Sequence, residues 1–372
     1  MDDFSLDDVA HMTRALELAE RGRFTARPNP VVGCVVVKDD AVIGEGWHAR
    51  AGEPHAEVNA LADAGNARGA TVYVTLEPCT HHGRTPPCID ALIKAKVGEV
   101  VVAALDPSDV VDGAGLAGLQ AAGISVQQGL LAEEAEAQNR GFISRVKRQR
   151  PWVTLKVAAS LDGATAMKNG ESQWITSKDS RADVQKLRAA SGAILSGIGT
   201  VLADDPSLNV RDESIPADVP QPIRAIVDSS LRMPPEARML SLDGETVVYC
   251  VDDVERQELE PFGAIVMKVE RSGDGRVVLT DVLRDLAVNR DVNDVLVEAG
   301  PELAGSMIEA ELVDELVIYQ APHIMGSETR PMFSTPALTA LAERIELEIA
   351  DVRRIGPDMR IIARVSASRF EM

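Results

Sequence analysis

Three residues able to bind a metal, with a carboxylate close by, constrain this chain more than any other feature. His55 stands two residues before Glu57 and 24 before Cys79, and Cys79 stands nine before Cys88. For residues so far apart to share one ion, the chain must turn back on itself within a layered unit. Proline punctuation suggests how. Pro54 precedes His55 at a helix start, Pro78 puts Cys79 in a loop after a strand, and Pro86 opens the helix that carries Cys88. A helix N-terminus favours negative charge, so these positions help thiolates to form.

The periodicity of the first half agrees with that frame. Apolar positions from Leu6 to Arg21 repeat at helical spacing behind a Ser5/Asp8 capping pair. Val31 to Val37 and Ala41 to Trp47 read as a hairpin joined at Lys38-Asp39-Asp40. A helix from His55 to about Asp63, a strand from Thr71 to Leu76, a helix from about Pro86 to Lys96 and a strand from Glu99 to Leu105 follow. The segment from Asn139 to Arg150 contains the basic run Arg145 to Arg150 and ends at Pro151, which suits a solvated connector between domains. Beyond it, Trp152–Ala159, Ala193–Gly197, Ile223–Asp228, Thr246–Val251 and Asp294–Glu298 alternate with helical stretches, the pattern of a second α/β unit with a mostly parallel sheet. Val317–Ala321, Ile345–Val352 and Met359–Val365 are expected to add antiparallel edge strands.

Composition narrows the function. With 38 basic against 58 acidic residues the formal charge is -20, and a field of that sign repels phosphodiester backbones. Nucleic acid is therefore excluded as a partner. A single phosphate can still be held by a few local cations or helix-end amides. The acidic start, Met1-Asp2-Asp3, does not resemble a signal peptide, and no apolar run is long enough to span a membrane, so a cytoplasmic location is expected. Four cysteines are too few to staple a chain of this length. Cys79 and Cys88 are read as metal ligands, Cys34 and Cys250 as buried, inert thiols.

One imidazole and two thiolates leave the fourth tetrahedral position of zinc open, as in catalytic sites. The alternative is a closed structural site completed by His81 or His82, which would leave Glu57 without a purpose. The order H-x-E, then P-C and a second cysteine, is the pattern of zinc deaminases, although eight residues separate the two cysteines here in place of two. In such a site the metal lowers the pKa of a water and Glu57 shuttles its proton to the leaving amine.

Read together, Pro28–Gly33, His55–Glu57 and Glu77–Cys88 closely resemble the bifunctional riboflavin-biosynthesis family, pyrimidine deaminase plus uracil reductase. The second half resembles it too, at Lys156–Gly163, Glu171–Thr176, Thr200–Pro206 and Glu298–Gly305. The resemblance implies an α/β architecture of a cytidine-deaminase-like domain over residues 1–144, a linker over 145–150 and a dihydrofolate-reductase-like domain over 151–372. Its first domain would use Zn2+ to deaminate 2,5-diamino-6-(5-phosphoribosylamino)pyrimidin-4(3H)-one. Its second would use NADPH to reduce the ribosyl chain of the product, 5-amino-6-(5-phosphoribosylamino)uracil, to ribityl. A homo-oligomer is the expected assembly.

By position, the resemblance puts Asn29, His48, His81 and Arg84 around the deaminase substrate, with Arg84 where many members carry Lys. Ala158, Trp174, Thr200, Asp204, Ser229 and the run Gly300, Pro301, Glu302, Leu303, Ala304, Gly305 and Ser306 fall on the NADPH side. Ser172, Arg188, Leu208, Arg211 and Glu298 fall on the reductase substrate side, Arg188 and Arg211 as cations for a phosphorylated sugar. Independently of the resemblance, Gly300 ends a strand and Pro301 opens a helix, and Gly197-Ile198-Gly199 forms a second glycine-rich turn. Neither is the G-x-G-x-x-G fingerprint, so a Rossmann domain is not expected. A base deaminase with an unrelated second domain and a zinc-stabilised binding module remain the competing readings.

Overall fold

A computed structural model of the chain describes residues 4–80, 86–108, 113–251 and 259–365. It divides into two compact units, Met1–Gln149 and Arg150–Met372.

The first unit runs α1 (Leu6–Glu20), β1 (Gly33–Lys38), β2 (Ala41–Trp47), α2 (Ala56–Ala64), β3 (Thr71–Leu76), α3 (Cys88–Ala95), β4 (Glu99–Ala104), α4 (Ala114–Ala121), β5 (Ser125–Gln128), α5 (Ala132–Gln138) and α6 (Arg140–Arg148). The sheet order is β2-β1-β3-β4-β5, with β2 and β3 antiparallel to β1 and the rest parallel. Its inner strands are continuous apolar runs because both faces are covered. Along β1, Cys34 and Val36 enter one core with Ala56, Ala60, Leu92 and Leu119 of α2, α3 and α4. Val35 and Val37 enter the other, with Met12, Leu16 and Ala135 of α1 and α5. Ser5 caps α1 as expected: its hydroxyl accepts from the Asp8 amide while the Asp8 carboxylate accepts from the Ser5 amide. Residues 145–148 of the expected connector are instead the last turn of α6.

The second unit runs β6 (Trp152–Ser160), β7 (Ala164–Ala166), α7 (Lys178–Ala190), β8 (Ala193–Gly197), α8 (Ile198–Asp204), β9 (Ile223–Val227), β10 (Thr246–Cys250), β11 (Ala264–Lys268), α9 (Leu279–Val288), β12 (Asp294–Glu298), α10 (Pro301–Glu309), β13 (Glu315–Ala321), β14 (Arg330–Pro331), β15 (Leu347–Ile355) and β16 (Asp358–Val365). Nine of these strands form one sheet in the order β11-β10-β9-β8-β12-β6-β13-β16-β15. Here the sequence expectation needs correction. The strand at Val317–Ala321 is not an antiparallel edge: β13 begins at Glu315, lies inside the sheet and runs parallel to β6. In this sheet only β16 runs against its neighbours, pairing antiparallel with β13 and with β15, and of the three expected edge strands only β15 stands at the edge. Val317 and Tyr319 are buried against Val184 of α7, which is why this strand takes an interior place.

The order of connections positions a crevice. From β6 the chain passes to β8 and moves outward through β9, β10 and β11, then returns to insert β12 between β8 and β6 before continuing to β13. At such a reversal the loops leaving the carboxyl ends of adjacent strands part, and ligands of α/β sheets bind there. The carboxyl ends at this point carry Gly197 on β8 and Glu298 on β12. No helix among the described residues is long and apolar enough to cross a membrane.

In the first unit the backbone of α2 lies directly against β2 at Gly44 and Gly46. A Cβ on Gly46 would stand 2.4 Å from the Ala60 nitrogen, and one on Gly44 would stand 2.4 Å from the Ala60 carbonyl oxygen. Gly46→Ala is therefore expected to push α2 off the sheet and destabilise the first unit by about 1–3 kcal/mol. Scanning calorimetry should show its transition moving down while that of the second unit stays; an unmoved first transition would contradict this packing.

Candidate metal centre and a second crevice

The ends of two helices and one strand build the centre. His55 is the N-cap residue of α2, Cys88 is the first residue of α3, and Cys79 follows β3 after Glu77 and Pro78. Their donor atoms converge: His55 Nδ1 lies 2.9 Å from Cys88 Sγ and 3.6 Å from Cys79 Sγ, and the two sulfurs are 3.2 Å apart. Zinc with bonds of about 2.3 Å to sulfur and about 2.0 Å to nitrogen needs N–S edges of about 3.5 Å and an S–S edge of about 3.8 Å, which the Cys79–His55 edge meets and the other two approach to within about 0.6 Å. The one-imidazole, two-thiolate donor set thus fits zinc in chemistry and in spacing. Among the described residues this is the single group of His, Cys, Asp and Glu side chains arranged to hold a metal. The Cys88 amide and thiol both point at Cys79 Sγ, which pulls the Cys79 thiol well below its ordinary pKa.

Glu57 sits in the first turn of α2 and is buried. Burial pushes its carboxyl above the usual glutamate range, which suits a group that must both take and return a proton. His48 is buried beside the centre, its ring edge-on to that of His55 at 5.2 Å. Its Nδ1 lies 3.3 Å from the Pro54 carbonyl and its Nε2 3.0 Å from the Asn29 side-chain nitrogen. The carbonyl can only accept and the amide nitrogen can only donate, so the neutral Nδ1–H tautomer satisfies both. Burial, the largest effect, lowers the His48 pKa and favours the same neutral form. Asn29, His48, His55, Glu57, Cys79 and Cys88 are thus brought together, while His81, His82 and Arg84 lie outside the described residues. Cys34 and Cys250 are buried core thiols, as expected.

In the second unit, the glycine-rich turns meet at the crevice. Gly197 caps α8 and Gly300 caps α10, and a Cβ on Gly300 would stand 4.0 Å from Thr200 Oγ1. With Pro301 at the first position of α10, the first-turn amides of Glu302 and Leu303 face outward along the helix axis, the arrangement that receives a phosphate. The rest of the Gly300–Ser306 run has other duties. Ala304 is in the core, and Gly305 packs so tightly on Ser334 that a Cβ would lie 2.1 Å from the Ser334 carbonyl oxygen. Ser229 follows β9 and its hydroxyl accepts from the Val277 amide. Trp174 is exposed, with the Arg181 guanidinium 4.3 Å over its ring, and Asp204 ends α8 on the surface.

On the other side of Glu298 the cations are not equivalent. Arg188 is buried and grips Glu298 through two hydrogen bonds of 2.6 and 3.0 Å, so its charge is already matched. Arg211 is exposed, with its guanidinium on the Asn209 side chain. Sequence reasoning treated both as open phosphate cations; by exposure only Arg211 is. Leu208 is buried with Ile198 and Val201, so its side chain belongs to the core. Ser172 is half-buried and Ala158 lies on the same face of β6 as Lys156.

Two residues of this cluster were missed. Lys156 Nζ lies 3.6 Å from Glu298, and Asn209 links the arginines, its carbonyl accepting from Arg188 and its side chain from Arg211. Lys156 heads a recognised run and falls opposite Glu298 in the β6–β12 register, yet which residue it faces depends on strand order, which the sequence does not display.

Burial alone would raise the Glu298 pKa, but Arg188 and Lys156 outweigh it and hold the carboxyl at about 2. Because the folded value lies below the ordinary value of about 4.3, the stabilisation is present above that pH and is lost as pH falls toward 2. Glu298→Gln leaves the buried Arg188 and the half-buried Lys156 without a counter-charge and is expected to cost about 3 kcal/mol at neutral pH. In urea unfolding the gap from wild type should narrow below about pH 4. A gap that stays constant into strong acid would refute the pairing.

Comparison with known proteins agrees with both halves of this geometry. The family description "Cytidine and deoxycytidylate deaminase zinc-binding region" matches residues 6–104, and "RibD C-terminal domain" matches residues 151–361. The chain is 49% identical to the riboflavin biosynthesis protein RibD of Escherichia coli K12 over 95% of its own length and 98% of the relative's. It is 45% identical to RibD of Haemophilus influenzae over 96% and 98% of the two chains. Among solved structures, Acinetobacter baumannii RibD superposes with a TM-score of 0.91 at 44% identity, covering 97% of this chain and 99% of that one. The Thermotoga maritima diaminohydroxyphosphoribosylaminopyrimidine deaminase/5-amino-6-(5-phosphoribosylamino)uracil reductase superposes with a TM-score of 0.87 at 33% identity, over 97% and 99% of the two chains. The expected cytidine-deaminase-like and dihydrofolate-reductase-like domains are both present, and the chain belongs to the RibD family, which serves the deaminase and reductase steps of riboflavin biosynthesis.

Proposed function

We propose that the first unit hydrolyses the 2-amino group of 2,5-diamino-6-(5-phosphoribosylamino)pyrimidin-4(3H)-one and that the second reduces the ribosyl chain of the resulting uracil to ribityl. The observation that carries the first step is the buried Glu57 two residues from a His55/Cys79/Cys88 cluster. Zinc, when bound by these three ligands, makes water a competent nucleophile near neutral pH. Glu57 takes the proton of the attacking water and returns it to the ring nitrogen and then to the departing amine, so that ammonia leaves as the C–N bond breaks. Neutral His48 and Asn29 orient the pyrimidine edge, since a fixed tautomer presents the substrate with an unchanging pattern. His81 and Arg84, assigned by resemblance, hold the ribose phosphate.

NADPH, when bound in the second unit, supplies the hydride. Its pyrophosphate is assigned to Gly300, Pro301, Thr200 and the outward amides of Glu302 and Leu303, with Ala304, Gly305 and Ser306 holding that helix in place. Ala158, Trp174, Asp204 and Ser229 line the rest of the cofactor. Arg211 takes the sugar phosphate. Arg188, fixed by Glu298, shapes the substrate wall with Ser172 and the backbone at Leu208. An ion-paired Arg188 gives orientation with little net charge, leaving the exposed cation to attract the anion.

The assembly we infer is a homo-oligomer. On one face of the β15–β16 ribbon, Leu347, Ile349 and Val352 stay exposed at an outer edge of the sheet, opposite Val365, Ala363 and Ile361. Ile349→Glu is expected to shift the protein to a smaller species in light scattering; an unchanged mass would remove this ribbon from the interface.

A coupled assay tests the whole reading. With the diaminopyrimidine nucleotide, wild-type protein should release ammonia and then oxidise NADPH. Glu57→Gln should lower ammonia release by at least about 100-fold while still oxidising NADPH when given the deaminated product. Ammonia release at the wild-type rate would sink the proton-shuttle role of Glu57.

A further inference from the structure

Among the described residues of the deaminase unit, the mechanism leaves one buried carboxylate unused. Glu77 stands two residues before Cys79 and is 4% exposed. Its Oε2 accepts from the amides of Asp106, at 3.3 Å, and Gly113, at 3.2 Å, while Oε1 accepts from the amide of Gly115 at 2.9 Å. One side chain therefore ties three backbone points together: the exit of β4, the N-cap of α4 and the first turn of that helix. Its own amide donates to the Ala104 carbonyl, which fixes the end of β3 to the end of β4.

A second contact locks the same corner. A Cβ on Gly115 would stand 2.3 Å from the Pro78 carbonyl oxygen, so α4 rests directly on the peptide that leads into Cys79. Cys79 in turn is held from the other side, where the Ile89 amide donates to its carbonyl and the Cys88 amide to its sulfur. The Pro78-Cys79 peptide is thus gripped between the starts of α4 and α3. The Cys88 side of that grip uses the ligands themselves; the α4 side depends on Glu77.

We propose that Glu77 is a positioning residue of the deaminase, which ties the start of α4 to Asp106 and holds it against Pro78, and so fixes Cys79 Sγ at ligand distance from His55 and Cys88. It does not touch a ligand atom and acts through the backbone. An acceptor with two oxygens suits this place because three amides must be satisfied. In Glu77→Gln one oxygen becomes an amide NH2 group, which sets a donor against donors at a corner closed to water. The inference rests on the zinc reading of the His55/Cys79/Cys88 cluster, and the metal content of wild-type protein tests that reading on its own.

The experiment compares full-length, zinc-loaded wild type, Glu77→Gln and Gly115→Ala. Zinc transfer to a chromogenic chelator is followed at low temperature, where unfolding is negligible, and deaminase kcat and KM are measured alongside NADPH oxidation. Residues that orient ligands typically influence metal affinity or activity by about 10–100-fold. Both variants are expected to release zinc at least about tenfold faster than wild type, with a lower deaminase kcat, little change in KM and normal NADPH oxidation. Zinc release and kcat within twofold of wild type in both variants would overturn the proposal. So would a loss confined to temperatures at which the variants begin to unfold, since that would make Glu77 a stabilising residue only. Wild type that holds no zinc would instead refute the metal reading beneath it.

Discussion

Both units depend on a sheet that is buried on its two faces. In the first, alternate residues of one strand enter opposite cores: Cys34 and Val36 pack beneath α2 and α3, while Val35 and Val37 pack beneath α1. In the second, Leu195 and Val247 enter one core and Ile194 and Val248 the other. Helices must then cover both sides, and each parallel crossover sends the chain from the carboxyl end of a strand into the start of a helix. Strand ends and helix N-termini consequently gather along one edge of each sheet. That edge is where His55, Cys79 and Cys88 lie in one unit and Gly197, Glu298 and Gly300 lie in the other.

The common edge also explains how an acidic protein can handle anions. A formal charge of -20 opposes phosphate at long range, yet screening confines that field to about 10 Å in ordinary salt. Inside the sites, oriented amides matter more. The start of α3 donates to Cys79 Sγ, and the start of α10 presents amides where a phosphate fits. Where the second unit uses full charges it pairs most of them, as with Arg188 and Glu298, and leaves Arg211 exposed.

Much of this was legible because local patterns carried it. The Ser5/Asp8 capping pair, the hairpin at Asp39-Asp40 and the strands from Thr71, Ala193 and Asp294 stand within a residue or two of their expected bounds. The metal ligands were legible because proline and residue type marked them. What escaped depends on contacts remote in sequence. The parallel, interior placement of β13 is set by burial of Val317 and Tyr319 against α7. The pairing of Arg188 with Glu298 spans 110 residues, and the grip of Glu77 on Gly115 spans 38. Neither separation leaves a periodic trace, and a carboxylate that serves backbone amides has no complementary charge in the sequence to betray it.

The contact between α2 and β2 has a consequence of its own. Because Gly44 and Gly46 bring backbone against backbone, the gap beneath the helix that carries His55 and Glu57 is set by van der Waals radii and not by side-chain volumes. Side chains swap rotamers and tolerate replacement; peptide groups in contact do neither. The floor of the deaminase site is in that sense a hard stop. Sequence drift in the surrounding apolar layers can proceed without altering the depth at which the proton-carrying residue sits.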